Sequence, residues 1–118
     1  MRYLFLLRPE DGQLHALTDE ERAALLGDFI TWTQSLKTRG HLVAVERLKP
    51  TGGTTVRKKR DAIVVDGPYA EMRELVSGLF IVDAAGLDQA HALARECPLL
   101  TVDGSIEVRE IDDFPIKP

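Results

Sequence analysis

At 118 residues the chain is long enough for one domain around one hydrophobic core. Its 44% apolar and 29% charged residues fit a folded protein, not a disordered one, and a net charge of −4 gives no field toward nucleic acid or an anionic membrane. No apolar run approaches the ~20 residues of a membrane span, the short apolar N-terminus lacks a secretory cleavage signal, and the single cysteine, Cys97, excludes an internal disulfide, so a cytoplasmic protein is expected.

Residues 2 to 8 alternate as a strand, with Leu4 and Leu6 on one face and Tyr3, Phe5 and Leu7 on the other, a pattern that suits a central strand covered on both sides. After a loop from Pro9 to Leu17, Thr18-Asp19-Glu20-Glu21 forms a capping box. Leu25, Phe29, Trp32 and Leu36 then follow at helical spacing, widened by Leu26 and Ile30, with Gly40 as the left-handed cap. His41 to Leu48 reads as a second strand. Beyond the loop Pro50-Thr51-Gly52-Gly53, Thr54 to Lys58 and Ala62 to Asp66 form a hairpin around Lys59-Arg60-Asp61. Pro68 to Val76 reads as a short helix or helical turn, since Pro68 suits a first helical position. Gly78 to Ala84 is a strand. Leu87, Ala90, Leu93, Ala94 and Cys97 mark a second amphipathic helix stopped by Pro98. Ser105 to Ile111 is a last strand with Ile106 and Val108 inward, and residues 112–118 are a tail outside the 1–111 domain.

The order β-α-β, hairpin, β-α-β predicts a ferredoxin-like α+β fold, with an antiparallel sheet carrying two long helices on one face. The other face bears apolar residues that need cover, and a second copy is the simplest cover, so a homodimer is expected.

Asp66-Gly67-Pro68-Tyr69-Ala70-Glu71, followed by Gly78-Leu79-Phe80-Ile81-Val82-Asp83-Ala84, resembles the DGPF-domain branch of the YCII-related family, whose signature reads D-G-P-F-x-E and then a G-G-[FY] strand. Gly40-His41-Leu42-Val43, Lys49-Pro50 with Thr54-Thr55-Val56-Arg57, and Gly104-Ser105-Ile106-Glu107-Val108-Arg109 extend the resemblance over residues 1–111. It implies a dimeric α+β barrel with a cavity between sheet and helices, and an association with extracytoplasmic-function sigma factors. Some relatives have a His–Asp pair proposed as an acid–base dyad, and one group dehydrochlorinates hydroxylated aromatics. Counting from Gly40 and Pro98, the matching positions here hold Phe29 and Cys97. Phenylalanine exchanges no proton and a buried thiol is poorly ionised, so the dyad chemistry does not carry over.

Four residues remain as candidates to line the cavity: His41, Asp66, Tyr69 and Glu71. His41 and Asp66 are the candidate general bases. Each also has a plainer role. Asp66 can cap the Gly67–Ala70 corner, His41 can cap a helix end, Tyr69 can pack with a wet tip, and Glu71 with Glu74 can form a solvated face. His15, His41 and His91 have no metal-ligand spacing, His91 reads as surface, and no cofactor motif is present, so neither metal nor cofactor is expected. Arg57-Lys58-Lys59-Arg60 alternates across two strand faces and makes no nucleic-acid wall. The reading is a small-molecule-binding protein. The alternatives are a cofactor-independent lyase or isomerase on a small aromatic or metabolite, or a regulatory partner of a sigma factor.

Overall fold

The computed structural model describes residues 1–10, 16–49, 52–67, 76–112 and 115. Strands β1 (Arg2–Arg8), β2 (Leu42–Arg47), β5 (Gly78–Asp83) and β6 (Ser105–Glu110) form one sheet in the order β2-β5-β1-β6, and every pair in it is antiparallel. Strands β3 (Thr55–Lys59) and β4 (Ala62–Asp66) form a separate hairpin. The two helices α1 (Asp19–Thr38) and α2 (Leu87–Arg95) bury residues in one core with the same face of the sheet. This is the ferredoxin-like α+β arrangement that the element order predicts.

β1 is central, and its alternation decides what lies inside. Tyr3, Phe5 and Leu7 stand opposite Val82, Phe80 and Gly78 of β5, while Phe5 and Leu7 also face Val108 and Ile106 of β6. Residues directly opposite share a face, so this set makes the inner surface, and its β1 and β5 members are buried. Leu4, Leu6, Leu79 and Ile81 make the outer surface and stay half-buried in the single chain.

Helix α1 starts and ends as its sequence requires. The Thr18 Oγ1 accepts the Glu21 amide at 3.1 Å, and the Glu21 carboxylate accepts the Thr18 amide at 3.0 Å. At the other end Gly40 takes φ +80°, so that its amide reaches the Lys37 carbonyl and the His41 amide the Leu36 carbonyl. Trp32 and Leu36 are buried with Phe29 packed against them. Trp32 lies 4.6 Å from Phe80, stacks at 6.5 Å on Phe5, and meets Phe29 edge-on at 6.2 Å. Leu26 and Ile30 do not widen this stripe into the core: each leaves about half its surface in solvent, because the helix seats along the narrower line of Phe29, Trp32 and Leu36.

Helix α2 ends at Arg95, short of Cys97. Proline disfavours helical backbone in the residue before it, so Cys97 is extended (ψ 126°), and Pro98 starts a 3-10 helix, Pro98–Val102. Arg39 and Glu96 form a bidentate pair that ties the C-terminal ends of α1 and α2 together. Residues 68–75, where a short helix is expected, lie outside the described residues.

Gly78 is required by a close approach. A Cβ there would stand 2.9 Å from the Glu46 carbonyl oxygen of β2. Gly78→Ala is expected to lower stability by about 1–3 kcal/mol, the usual cost of overpacking, as read from a denaturation midpoint. Cys97 is 2% exposed, and burial pushes its thiol from 9.0 up to about 11. The folded state therefore holds its proton more tightly than the unfolded chain. The stability this contributes is complete below about pH 9 and is lost as pH rises toward about 11. Urea midpoints across that range should fall more steeply for the wild type than for Cys97→Ala.

Candidate functional site

His41 immediately precedes β2, at the end of the sheet where β5 finishes. Its backbone carbonyl accepts the Asp83 amide at 2.8 Å, and its ring Nδ1 lies 2.8 Å from the Asp83 carbonyl oxygen. A carbonyl can only accept, so Nδ1 carries the hydrogen and the neutral ring keeps its lone pair on Nε2. His41 is thus a junction residue that joins α1, β2 and β5, with one basic atom turned away from the bond.

Asp66 lies elsewhere. It closes β4, and its carboxylate pairs with the Arg57 guanidinium at 2.7 Å across the hairpin. The next residue, Gly67, has φ +110°, a conformation open to glycine and strained for other residues. This supports a turn at Gly67, while the remainder of the expected Gly67–Ala70 corner that Asp66 would cap lies outside the described residues. The hairpin leaves β2 from the end opposite His41, and no described contact brings His41 and Asp66 together. Tyr69 and Glu71 lie outside the described residues.

The positions that match the family dyad are both structural. Phe29 packs edge-on against Trp32, and Cys97 sits in the core with its thiol held protonated. Neither can act as base or acid near neutral pH. Beside them, the buried indole N–H of Trp32 has no acceptor among the described residues.

A groove of about 320 Å³ runs between α2 and β6. His91, Ala94 and Arg95 line it from α2, Leu100 from the 3-10 helix, and Ile106 and Val108 from β6. The spacing of His91, Ala94 and Arg95 places them on one helix face. β6 is an edge strand, so the inward Ile106 and Val108 are covered only by α2 and the 3-10 helix and stay half-buried. Among the described residues, neither the His91 nor the Arg95 side chain has a hydrogen-bond or ion-pair partner. The groove combines an apolar floor with one fixed cation and one titratable ring at its rim. Sequence reasoning placed His91 on the surface and passed over Arg95. The signal available to it was their four-residue spacing on the helix packed over β6.

A larger cleft of about 680 Å³ opens at the end of the sheet, lined by Met1, Arg2, Asp83, Glu110, Ile111 and Asp112. Its walls are mostly charged and mutually compensating, which suits solvent better than an organic ligand. Among the described residues no group of three or more His, Cys, Asp or Glu is placed to hold a metal ion. No described helix is long and apolar enough to cross a membrane.

The fold has a counterpart of known chemistry. The structure of 5-chloro-2-hydroxyhydroquinone dehydrochlorinase from Burkholderia phenoliruptrix AC1100, in complex with 2,5-dihydroxybenzoquinone, superposes with a TM-score of 0.56 over 95% of this chain and 94% of that one. At 14% identity the likeness is one of fold. An uncharacterised protein of Rhizobium meliloti (strain 1021) is 32% identical over 114 residues, covering 94% of this chain and 92% of its own length. The model of the YCII-related domain matches residues 1–115, and the chain belongs to the YCII-related family.

Proposed function

We propose that this protein binds a small, planar organic acid in the groove between α2 and β6, as a homodimer in which the outer face of the sheet is covered by a second copy. The observation that carries the binding reading is the unpartnered Arg95 beside His91, over the apolar floor of Leu100, Ile106 and Val108. A guanidinium holds an oxyanion through directed N–H donors, and β-branched side chains offer a flat surface to a ring. At about 320 Å³ the groove is at the small end of ligand sites and matches a single ring with polar substituents.

The dehydrochlorinase of the same fold was captured with a hydroxylated quinone, a small acidic ring compound, which is in keeping with that ligand class. The dimer reading rests on Leu4, Leu6, Leu79 and Ile81, a contiguous apolar surface that one chain leaves half-open. No reaction is assigned to the groove.

Calorimetric titration with 2,5-dihydroxybenzoquinone and 4-hydroxybenzoate tests the site. Arg95→Met keeps the apolar stem and removes the charge. It is expected to weaken binding of either acid by about ten- to a hundredfold, the weight of a hydrogen bond to a charged group, with an unchanged circular dichroism spectrum. Equal binding by wild type and Arg95→Met would place the ligand elsewhere.

A further inference from the structure

The groove between α2 and β6 presents two different nitrogen groups in one row. His91 and Arg95 are four residues apart on α2, which sets their Cβ atoms about 6 Å apart on one face. Ala94 stands in the same row, is buried, and ends at a methyl. The helix therefore leaves open the space of about 320 Å³ between the two side chains and the floor of Leu100, Ile106 and Val108. Glu96, the acid next to Arg95 in the chain, is held by Arg39 at the end of α1 and is not free to neutralise it.

The other charged groups around His91 leave its ring unpaired. On α2, Asp88 is exposed one turn before it and Arg95 stands one turn after it. On β6 the inward row continues past Val108 to Glu110, which opens on the cleft at the end of the sheet, and Tyr3 of β1, opposite Glu110, is buried in the core. The 3-10 helix has no titratable side chain before its cap, Asp103. Among the described residues no carboxylate pairs with the His91 ring.

A guanidinium is always charged and neutralises one anionic group. A second anionic group over the same apolar floor needs a second cation, because an unpaired charge away from water is costly. Among the lining residues, His91 alone can become that cation, since imidazole is the side chain that changes charge between about pH 5 and 8. We propose that the groove selects a planar ring bearing two anionic groups, one held by Arg95 and the other by His91, and that His91 takes up a proton as the ring binds. The inference rests on the acid-binding reading above and names its ligand class and the residue that sets it. The proton comes from solvent to the imidazole lone pair, and no bond of the ligand changes. Both ring nitrogens are then donors, and the hydrogen bond to the anion is charge-assisted. The linkage is reciprocal: the bound anion favours the proton, and the proton favours the anion by the same factor. Affinity for a dianion thus rises as pH falls through the imidazole range, while a monoanion, satisfied by Arg95, gains little.

Calorimetric titration of the full chain with isophthalate, a planar dicarboxylate, beside 4-hydroxybenzoate, a monocarboxylate of similar size, tests the assignment. Runs in two buffers of different ionisation enthalpy count the protons taken up. Isophthalate is expected to draw a measurable fraction of one proton near neutral pH, and to bind about tenfold more tightly at about pH 6.5 than at about pH 8.5. 4-Hydroxybenzoate is expected to do neither. In His91→Gln the proton uptake and the pH dependence with isophthalate should vanish. In His91→Lys, whose charge is constant over this range, tight binding of isophthalate should persist to about pH 8.5 without proton uptake. His91 is half-buried at the rim, and should His91→Gln lose its fold, the wild-type proton count and His91→Lys still decide. Isophthalate bound by the wild type without proton uptake overturns the role of His91 and leaves the acid-binding reading intact, as does uptake that survives in His91→Gln. A wild type that binds neither compound overturns both.

Discussion

The structure depends on β1 being paired along both edges. Its inward residues Tyr3, Phe5 and Leu7 meet β5 on one side and β6 on the other, and through those strands they set which side chains of the chain's second half face the helices. A slip of one residue would turn Leu4 and Leu6 inward and expel two aromatic rings. Phe5 and Phe80 are neighbours because of this register, and together they form the surface on which Trp32 of α1 rests. The close approach of Gly78 to the Glu46 carbonyl extends the same order to the edge strand β2.

That order also explains where a ligand can enter. The centre of the inner surface, under α1, is filled by rings and by Leu36, and the residues at the dyad positions belong to this filling. Space remains at the edge, where β6 has no neighbouring strand beyond it among the described residues and α2 and the 3-10 helix cover Ile106 and Val108. The α2 side chains that overlook this edge, the imidazole of His91 and the guanidinium of Arg95, have no partner among the described residues. The open space thus lies at the α2–β6 margin and not on the α1 side of the core. His41, by contrast, is engaged in joining α1 to the sheet, and Asp66 in closing the hairpin.

The outer face and the hairpin raise one physical problem twice. A sheet with helices on one side must cover the other, and a lone hairpin must cover one of its own. In this chain the first surface has an apolar centre flanked by charges of both signs, Glu46 on β2 and Glu107 and Arg109 on β6, and the second is apolar with basic flanks.

Much of the fold was written locally. The alternation of β1, the capping box at Thr18, the Gly40 terminus and the order of elements rest on short-range rules of periodicity and backbone freedom, and the structure follows them. The left-handed Gly67 and the family resemblance were legible for the same reason, since both are carried by contiguous residues. What sequence could not supply were distances between residues far apart in the chain. It grouped His41 with Asp66, which the fold holds at different places, and it left His91 on the surface, because the groove beneath it exists only once β6 has paired with β1 and α2 has settled across them. It carried α2 through to Cys97 and let Leu26 and Ile30 widen the buried stripe of α1, where seating on a flat sheet selects a narrower line. Local chemistry determined the elements and their ends. Which faces are buried, which cations stand unpartnered and which apolar surfaces remain open were decided by strand pairing, a long-range constraint that no short stretch of residues contains.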